Sequence, residues 1–157
     1  MPELVEIRWH ARAGQGAVTA AKTLADTALS NGKYVQAFPD YGPERMGAPL
    51  KAYNRIGDQP IRKRGTVENP SIVVVLDPSL VGTVDLIDGA PEDALYIVNS
   101  AESTETVRQK AKLGRRRLYC VDANQIAHEC IGLRKPNTPM LGAICRVTGV
   151  VGLEELL

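Results

Sequence analysis

The sequence has no excess of either charge, no long apolar run, no cysteine cluster and no histidine motif, and each absence removes a class of function. Its 19 Lys+Arg stand against 18 Asp+Glu, a formal net charge of +1. Domains that hold nucleic acid ordinarily carry a cationic excess to neutralise phosphates, so no nucleic-acid partner is expected. The longest aliphatic run, Ile72 to Leu76, is five residues. A bilayer span needs about 20, so no membrane partner is expected either. The first residues, Met1 to Arg8, mix acids among apolar side chains and show no basic n-region or long h-region. A secretory signal is therefore not expected, and the expected location is the cytoplasm.

The three cysteines, Cys120, Cys130 and Cys145, are widely spaced and form no Cys-x-x-Cys. That pattern fits neither a disulfide framework nor a zinc or iron–sulfur site. All three lie in apolar strand-like or helix-like stretches and are expected to be inert core thiols. His10 and His128 are the only histidines, and neither has a Ser, Cys or carboxylate at motif spacing. No catalytic residue and no metal ligand set is expected within the chain. It should bind something, or complete a site built with another chain.

What is present is a chain of 157 residues, 44% hydrophobic, long enough for one domain, residues 1–157, with a substantial core. Strand-length apolar runs alternate with amphipathic helix-length stretches, which predicts an α/β fold: an open, mainly parallel sheet with helices on both faces. Strands are expected over Leu4–His10, Tyr34–Phe38, Leu50–Ile56, Ile72–Leu76, Leu95–Val98 and Leu118–Val121. The β-branched run at Ile72 marks a central strand covered on both sides, stopped by Asp77-Pro78. Helices are expected over Ala17–Ser30, about Glu102–Lys112, Ala123–Cys130 behind an Asp122 cap, and Thr138–Val147. Ile61–Val67 reads as a short extended piece. The final Gly152–Leu157 begins an amphipathic turn that needs packing, because helix nucleation is costly; a partner docking on it is one expectation.

Two loops stand out. After the first strand, Gly14 and Gly16 open a tight turn into a helix, where backbone N–H groups and the helix dipole favour an anion such as phosphate. The turn is not a dinucleotide fingerprint, since Thr19 occupies the third glycine position, and Lys22-Thr23 lies too deep in the helix for a Walker loop. Such a turn is also compatible with tight packing alone. Phe38 to Pro49 follows the second parallel strand and is dense in Gly, Pro and charge. It should emerge at the same C-terminal sheet edge, where open α/β sheets bind ligands, or serve as a stiff connector. Of two basic clusters, Arg62-Lys63-Arg64 suits a nucleotide 3′-phosphate or an acidic partner, and Arg115-Arg116-Arg117 suits solvated surface.

These loops carry a resemblance. Ile7 to Ala21, with its Gly14-Gln15-Gly16-Ala17-Val18 core, and Ala37 to Pro49 resemble the gamma subunits of the 2-oxoacid:ferredoxin oxidoreductases, especially the pyruvate type. Later blocks are similar as well: Pro60–Arg64, Asp77–Leu80, Ile97–Asn99, Val121–Ala123 and Pro136–Ala143. The resemblance implies the gamma-domain fold and a cytoplasmic, anaerobic complex of alpha, beta, gamma and ferredoxin-like delta subunits. Such a complex converts a 2-oxoacid, most simply pyruvate, and coenzyme A to acyl-CoA and CO2, with electrons passing to external ferredoxin. Thiamine diphosphate with Mg2+ and the [4Fe-4S] clusters are implied on partner subunits. For this chain the resemblance implies coenzyme A contacts from Gly14, Gln15, Gly16, Ala17 and Val18 as backbone donors, and from the side chains of Arg45, Asn99 and Lys135. An alternative within the resemblance is a purely structural subunit of a complex acting on an aryl or branched-chain oxoacid, or on one converted without coenzyme A. The family turn usually reads Gly-x-Gly-Gly-Gln-Gly, whereas Ala11 and Ala13 stand here, which requires negative φ at both.

Overall fold

Alternating apolar runs and helical stretches fold into a six-stranded sheet whose order is β2-β3-β1-β4-β5-β6. The computed structural model describes residues 4–40, 48–133 and 135–156. Strands are β1 (Leu4–Arg12), β2 (Tyr34–Asp40), β3 (Pro49–Gly57), β4 (Ile72–Val75), β5 (Leu95–Asn99) and β6 (Arg117–Val121). Helices are α1 (Ala17–Ser30), α2 (Thr104–Ala111), α3 (Ala123–Ile131), α4 (Asn137–Thr148) and α5 (Leu153–Leu156). Strands β1, β4, β5 and β6 form a parallel run. Strand β3 lies antiparallel to β1 on one side and to β2 on the other. Strand β2 thus runs in the sense of β1 without touching it, so the sheet is mainly parallel with one reversed strand. As an edge strand β2 accepts Pro39, whose missing N–H interrupts no central ladder.

Side chains alternate across the sheet and build two cores. On one face Val5, Ile7, Trp9 and Ala11 of β1, with Val74 and Ile97, pack against Ala20, Leu24 and Ala28 of α1 and Met140 and Ile144 of α4. On the other, Val73, Val75, Tyr96 and Val98 pack against Val107 and Ala111 of α2 and against Leu80 and Leu86. Trp9 is fully buried, and its indole N–H donates to Asn54 Oδ1 at 2.8 Å. Only the β4–β6 half of the second face is covered by a helix. Over β1 and β3 that face turns polar, carrying Glu6, Arg8, His10, Tyr53 and Arg55.

Three expectations are corrected. Residues 61–67 are irregular rather than extended. Cys130 is exposed, unlike half-buried Cys120 and buried Cys145, because the last turn of α3 and the residues after it, 128–133, are exposed. The end of that helix outruns the surface on which Ala123 and Ala127 are buried. Strand β1 also runs two residues past His10, so the turn begins only after Arg12. The short α5 rests on this chain itself: Leu156 packs against the first core, and Glu155 accepts from Asn31 Nδ2 at 2.6 Å. Among the described residues no helix is long and apolar enough to cross a membrane.

Candidate functional site

The parallel strands all end at one sheet edge, and there the turn after β1 meets the starts of α1, α3 and α4. Gly14 has φ 93° and Gly16 φ 84°, left-handed values that side chains rarely adopt. Ala11 lies within β1, and Lys112 is the only non-glycine with positive φ among the described residues. The two alanines that depart from the glycine pattern are therefore unstrained, and glycine is kept at the two positions whose backbone demands it. Ala13 N–H donates to Ala48 O at 3.0 Å, which fixes the far end of the second loop beside the turn. Residues 41–47 of that loop, including Arg45, lie outside the described residues.

Helix caps separate the helix starts into two classes. Ser103 caps α2 through Thr106 N–H at 3.2 Å, and Asp122 caps α3 through Gln125 N–H at 3.1 Å. Helices α1 and α4, whose N-caps are Gly16 and Pro136, have no side-chain cap and no acid in the first turn. The N–H groups of Ala17 and Val18 therefore have no acceptor within the helix. These two uncapped starts touch: a Cβ on Gly16 would lie 2.6 Å from Asn137 Nδ2. Two positive helix ends side by side, with an amide between them and no acid in either first turn, are suited to an anion.

The structure sorts the residues implied by the resemblance. Gly14, Gly16, Ala17 and Val18 surround the uncapped start of α1. Gln15 belongs to the turn in another way. Its N–H donates to Arg12 O at 3.2 Å, its Oε1 accepts Arg12 N–H at 2.7 Å, and its Nε2 donates to Asp77 Oδ2 at 2.7 Å. Asn99 is fully buried. It donates to Leu76 O at 2.8 Å and to Asn124 Oδ1 at 3.2 Å, and accepts Ala123 N–H at 2.9 Å. Its amide thus braces the ends of β4 and β5 against α3. Lys135 is exposed, one residue before Pro136. Sequence reasoning missed Asn137 at this site, although it stands in one of the similar blocks; its contact with Gly16 joins positions 121 residues apart.

Neither basic cluster is at this edge. Lys63 pairs with Glu6 at 2.9 Å, six residues back along β1 from Arg12 and so about 20 Å from the turn. Arg117 donates to Asp93 O at 2.9 Å, where β6 begins. His10 sits under the polar sheet face with its ring accepting from Arg8 Nε at 2.9 Å. Burial first, then Arg8 and Lys51, pushes its pKa down to about 3, so it is a neutral structural acceptor. Among the described residues no three His, Cys, Asp or Glu side chains come together as a metal-binding group.

Comparison with known proteins gives the following. Residues 6–157 match the family model described as pyruvate ferredoxin/flavodoxin oxidoreductase. Pyruvate synthase subunit PorC of Thermotoga maritima is 52% identical over 151 residues, 96% of this chain and 78% of that protein. The crystal structure of the pyruvate oxidoreductase subunit PORC from that organism superposes with TM-score 0.88 at 48% identity, covering 99% of this chain and 82% of that one. The common gamma subunit of the pyruvate/ketoisovalerate oxidoreductases of Pyrococcus abyssi is 50% identical over 153 residues, 98% of this chain and 83% of that protein. A 2-oxoglutarate:ferredoxin oxidoreductase from Magnetococcus marinus, solved with coenzyme A bound, shares the fold at 15% identity and TM-score 0.77, covering 99% of this chain and 26% of that one.

Proposed function

From the premise that this chain belongs to the pyruvate ferredoxin/flavodoxin oxidoreductase family, we propose that residues 1–157 act as one gamma-type domain. In this reading it is a subunit of a 2-oxoacid:ferredoxin oxidoreductase complex, with pyruvate as the oxoacid, and it holds the phosphates of coenzyme A at the turn after β1. The observation that carries the reading is the meeting of the two uncapped helix starts at Gly16 and Asn137.

Each element has a defined task. Gly14 and Gly16 let the backbone turn sharply, and Gly16 leaves room for the Asn137 amide to approach it. The N–H groups of Ala17 and Val18 donate to phosphate oxygens, and the α1 and α4 dipoles add positive potential. Asn137 supplies an amide donor from the facing helix, and Lys135 stands two residues before α4 as an exposed cation. Asn99 braces the ends of β4 and β5 against the start of α3, a structural part rather than a contact to the ligand. No nucleophile or general base is needed here. In the complex, thiamine diphosphate with Mg2+ supplies the carbanion chemistry and [4Fe-4S] clusters the electron path to ferredoxin, on alpha, beta and delta partners in the cytoplasm. The name of the Pyrococcus relative, a subunit common to two oxoacid oxidoreductases, supports placing the choice of oxoacid on those partners as well.

Calorimetric titration of the assembled complex with coenzyme A tests this. Gly16→Asp sets a carboxylate against the Asn137 amide, between the uncapped starts of α1 and α4, and is expected to weaken binding at least about tenfold, the effect of losing one charge-assisted contact. Unchanged affinity in a folded complex would sink the coenzyme A reading and leave a purely structural subunit.

A further inference from the structure

The glycine turn is not self-supporting. One side chain, Asp77 at the end of β4, gathers it from outside. Its Oδ1 accepts Ser79 N–H at 2.8 Å. Its Oδ2 accepts Gln15 Nε2–H at 2.7 Å and lies 3.3 Å from Arg12 Nε, which also donates to Ser79 Oγ at 3.0 Å. Gln15 passes the restraint on, because its other amide atom takes the Arg12 N–H at 2.7 Å. The arrangement ties two consecutive parallel strands together at the point where β1 becomes the turn. A carboxylate near an anion site is costly unless its oxygens are saturated by donors. Here both oxygens are turned onto donors of the protein. Burial pushes the Asp77 carboxyl up, but hydrogen bonds from Ser79 and Gln15 and the charge of Arg12 outweigh it and hold the group below the usual carboxylate range.

We propose that Asp77 is a positioning residue which, acting through the Gln15 side chain, locks the Gly14–Gly16 turn in the shape that presents the N–H groups of α1 to an anionic ligand. The inference rests on the coenzyme A reading, and it gives the Gln15 side chain a role within the protein rather than on the ligand. Donor and acceptor across the 2.7 Å contact can be exchanged, which makes the claim specific. Asp77→Asn leaves one oxygen to serve both Ser79 N–H and Gln15, so one bond is lost. Gln15→Glu sets two carboxylates against each other. Combining the two substitutions restores a donor at position 77, an acceptor at position 15 and the bond to Arg12 N–H, at the loss of the contact between Arg12 Nε and position 77.

The test measures coenzyme A affinity and steady-state kinetics in the assembled complex, with amide hydrogen exchange over the turn. Each single substitution is expected to raise the coenzyme A Kd and KM about tenfold. Turnover at saturating coenzyme A should hold, and exchange at Gly14–Gly16 should accelerate. The double substitution should bring all three back toward the parent. Unchanged Kd in both singles, while Gly16→Asp weakens binding, overturns the positioning role and leaves the coenzyme A reading standing. So does a double substitution no better than its parts. If Gly16→Asp also leaves affinity unchanged, the coenzyme A reading fails separately. Exchange then decides alone, and an unaltered turn in the singles refutes the lock.

Discussion

Lowering the pH from about 7.5 to about 5 is expected to remove about 2 kcal/mol of stability through one side chain, His10. The residue is 2% exposed, and its Nε2 accepts the Arg8 Nε–H at 2.9 Å. Burial, reinforced by the charges of Arg8 and Lys51, lowers its pKa from 6.5 to about 3. Between those values the unfolded chain carries a proton at this position and the folded chain does not. Stability therefore falls as pH falls. The contribution is complete above the unfolded pKa and shrinks by about 1.4 kcal/mol per pH unit until the folded pKa is reached. Protonating Nε2 in the folded state would replace the hydrogen bond with two facing cations in a desolvated site.

His10→Gln isolates the effect, because the amide oxygen can still accept from Arg8 and does not titrate. Urea unfolding of both proteins at the two pH values measures it. The parent is expected to lose about 2 kcal/mol more than the variant between them. Equal losses would refute the reasoning, since they would mean that the imidazole takes up its proton within the folded state.

Other perturbations give contrasts of known direction. Asn54 is fully buried and joins Trp9 Nε1 to Ala21 O, so Asn54→Leu should cost about 1–3 kcal/mol in thermal unfolding by orphaning the indole N–H. Gly89 and Gly32 share a left-handed φ, but only at Gly89 would a Cβ run into a backbone carbonyl, that of Glu68. Gly32→Ala should therefore cost about 1–2 kcal/mol and Gly89→Ala clearly more, both read from denaturant midpoints. A thiol reagent applied to the chain should label exposed Cys130 first, then Cys120, and Cys145 only on unfolding. Burial raises the latter two thiols above the ordinary range, and the thiolate is the reactive form.

The order and extent of the elements were legible because their chemistry is local. Ile72–Val75 reads as a buried strand from its β-branched run, Asp77-Pro78 marks where it stops, and Asp122 announces the helix it caps. Strand direction is a different matter. Nothing in Pro49–Gly57 distinguishes an antiparallel strand inserted between β1 and β2 from another parallel one, since alternation reports faces and not sense. The same limit explains Cys130. An apolar stretch with helical spacing is set by its inward residues, Ala123 and Ala127, and periodicity does not show that the helix end outruns the sheet beneath it.

At the site, the backbone was legible and the side chains were not. Gly14 and Gly16 were identifiable because only glycine takes their dihedrals at little cost, so their presence states a geometry directly. Gln15 and Asn99 have polar side chains that serve a ligand or a neighbouring strand equally well. The choice between those uses depends on partners such as Asp77 and Ala123, 62 and 24 residues away. Asn137 was missed for the converse reason, because its neighbour across the site is a glycine with no side chain to signal a contact. A local signal can name the position where an anion fits. Only the tertiary arrangement shows that α1 and α4 begin there together without caps, and the proposed ligand cradle rests on that pairing more than on either glycine.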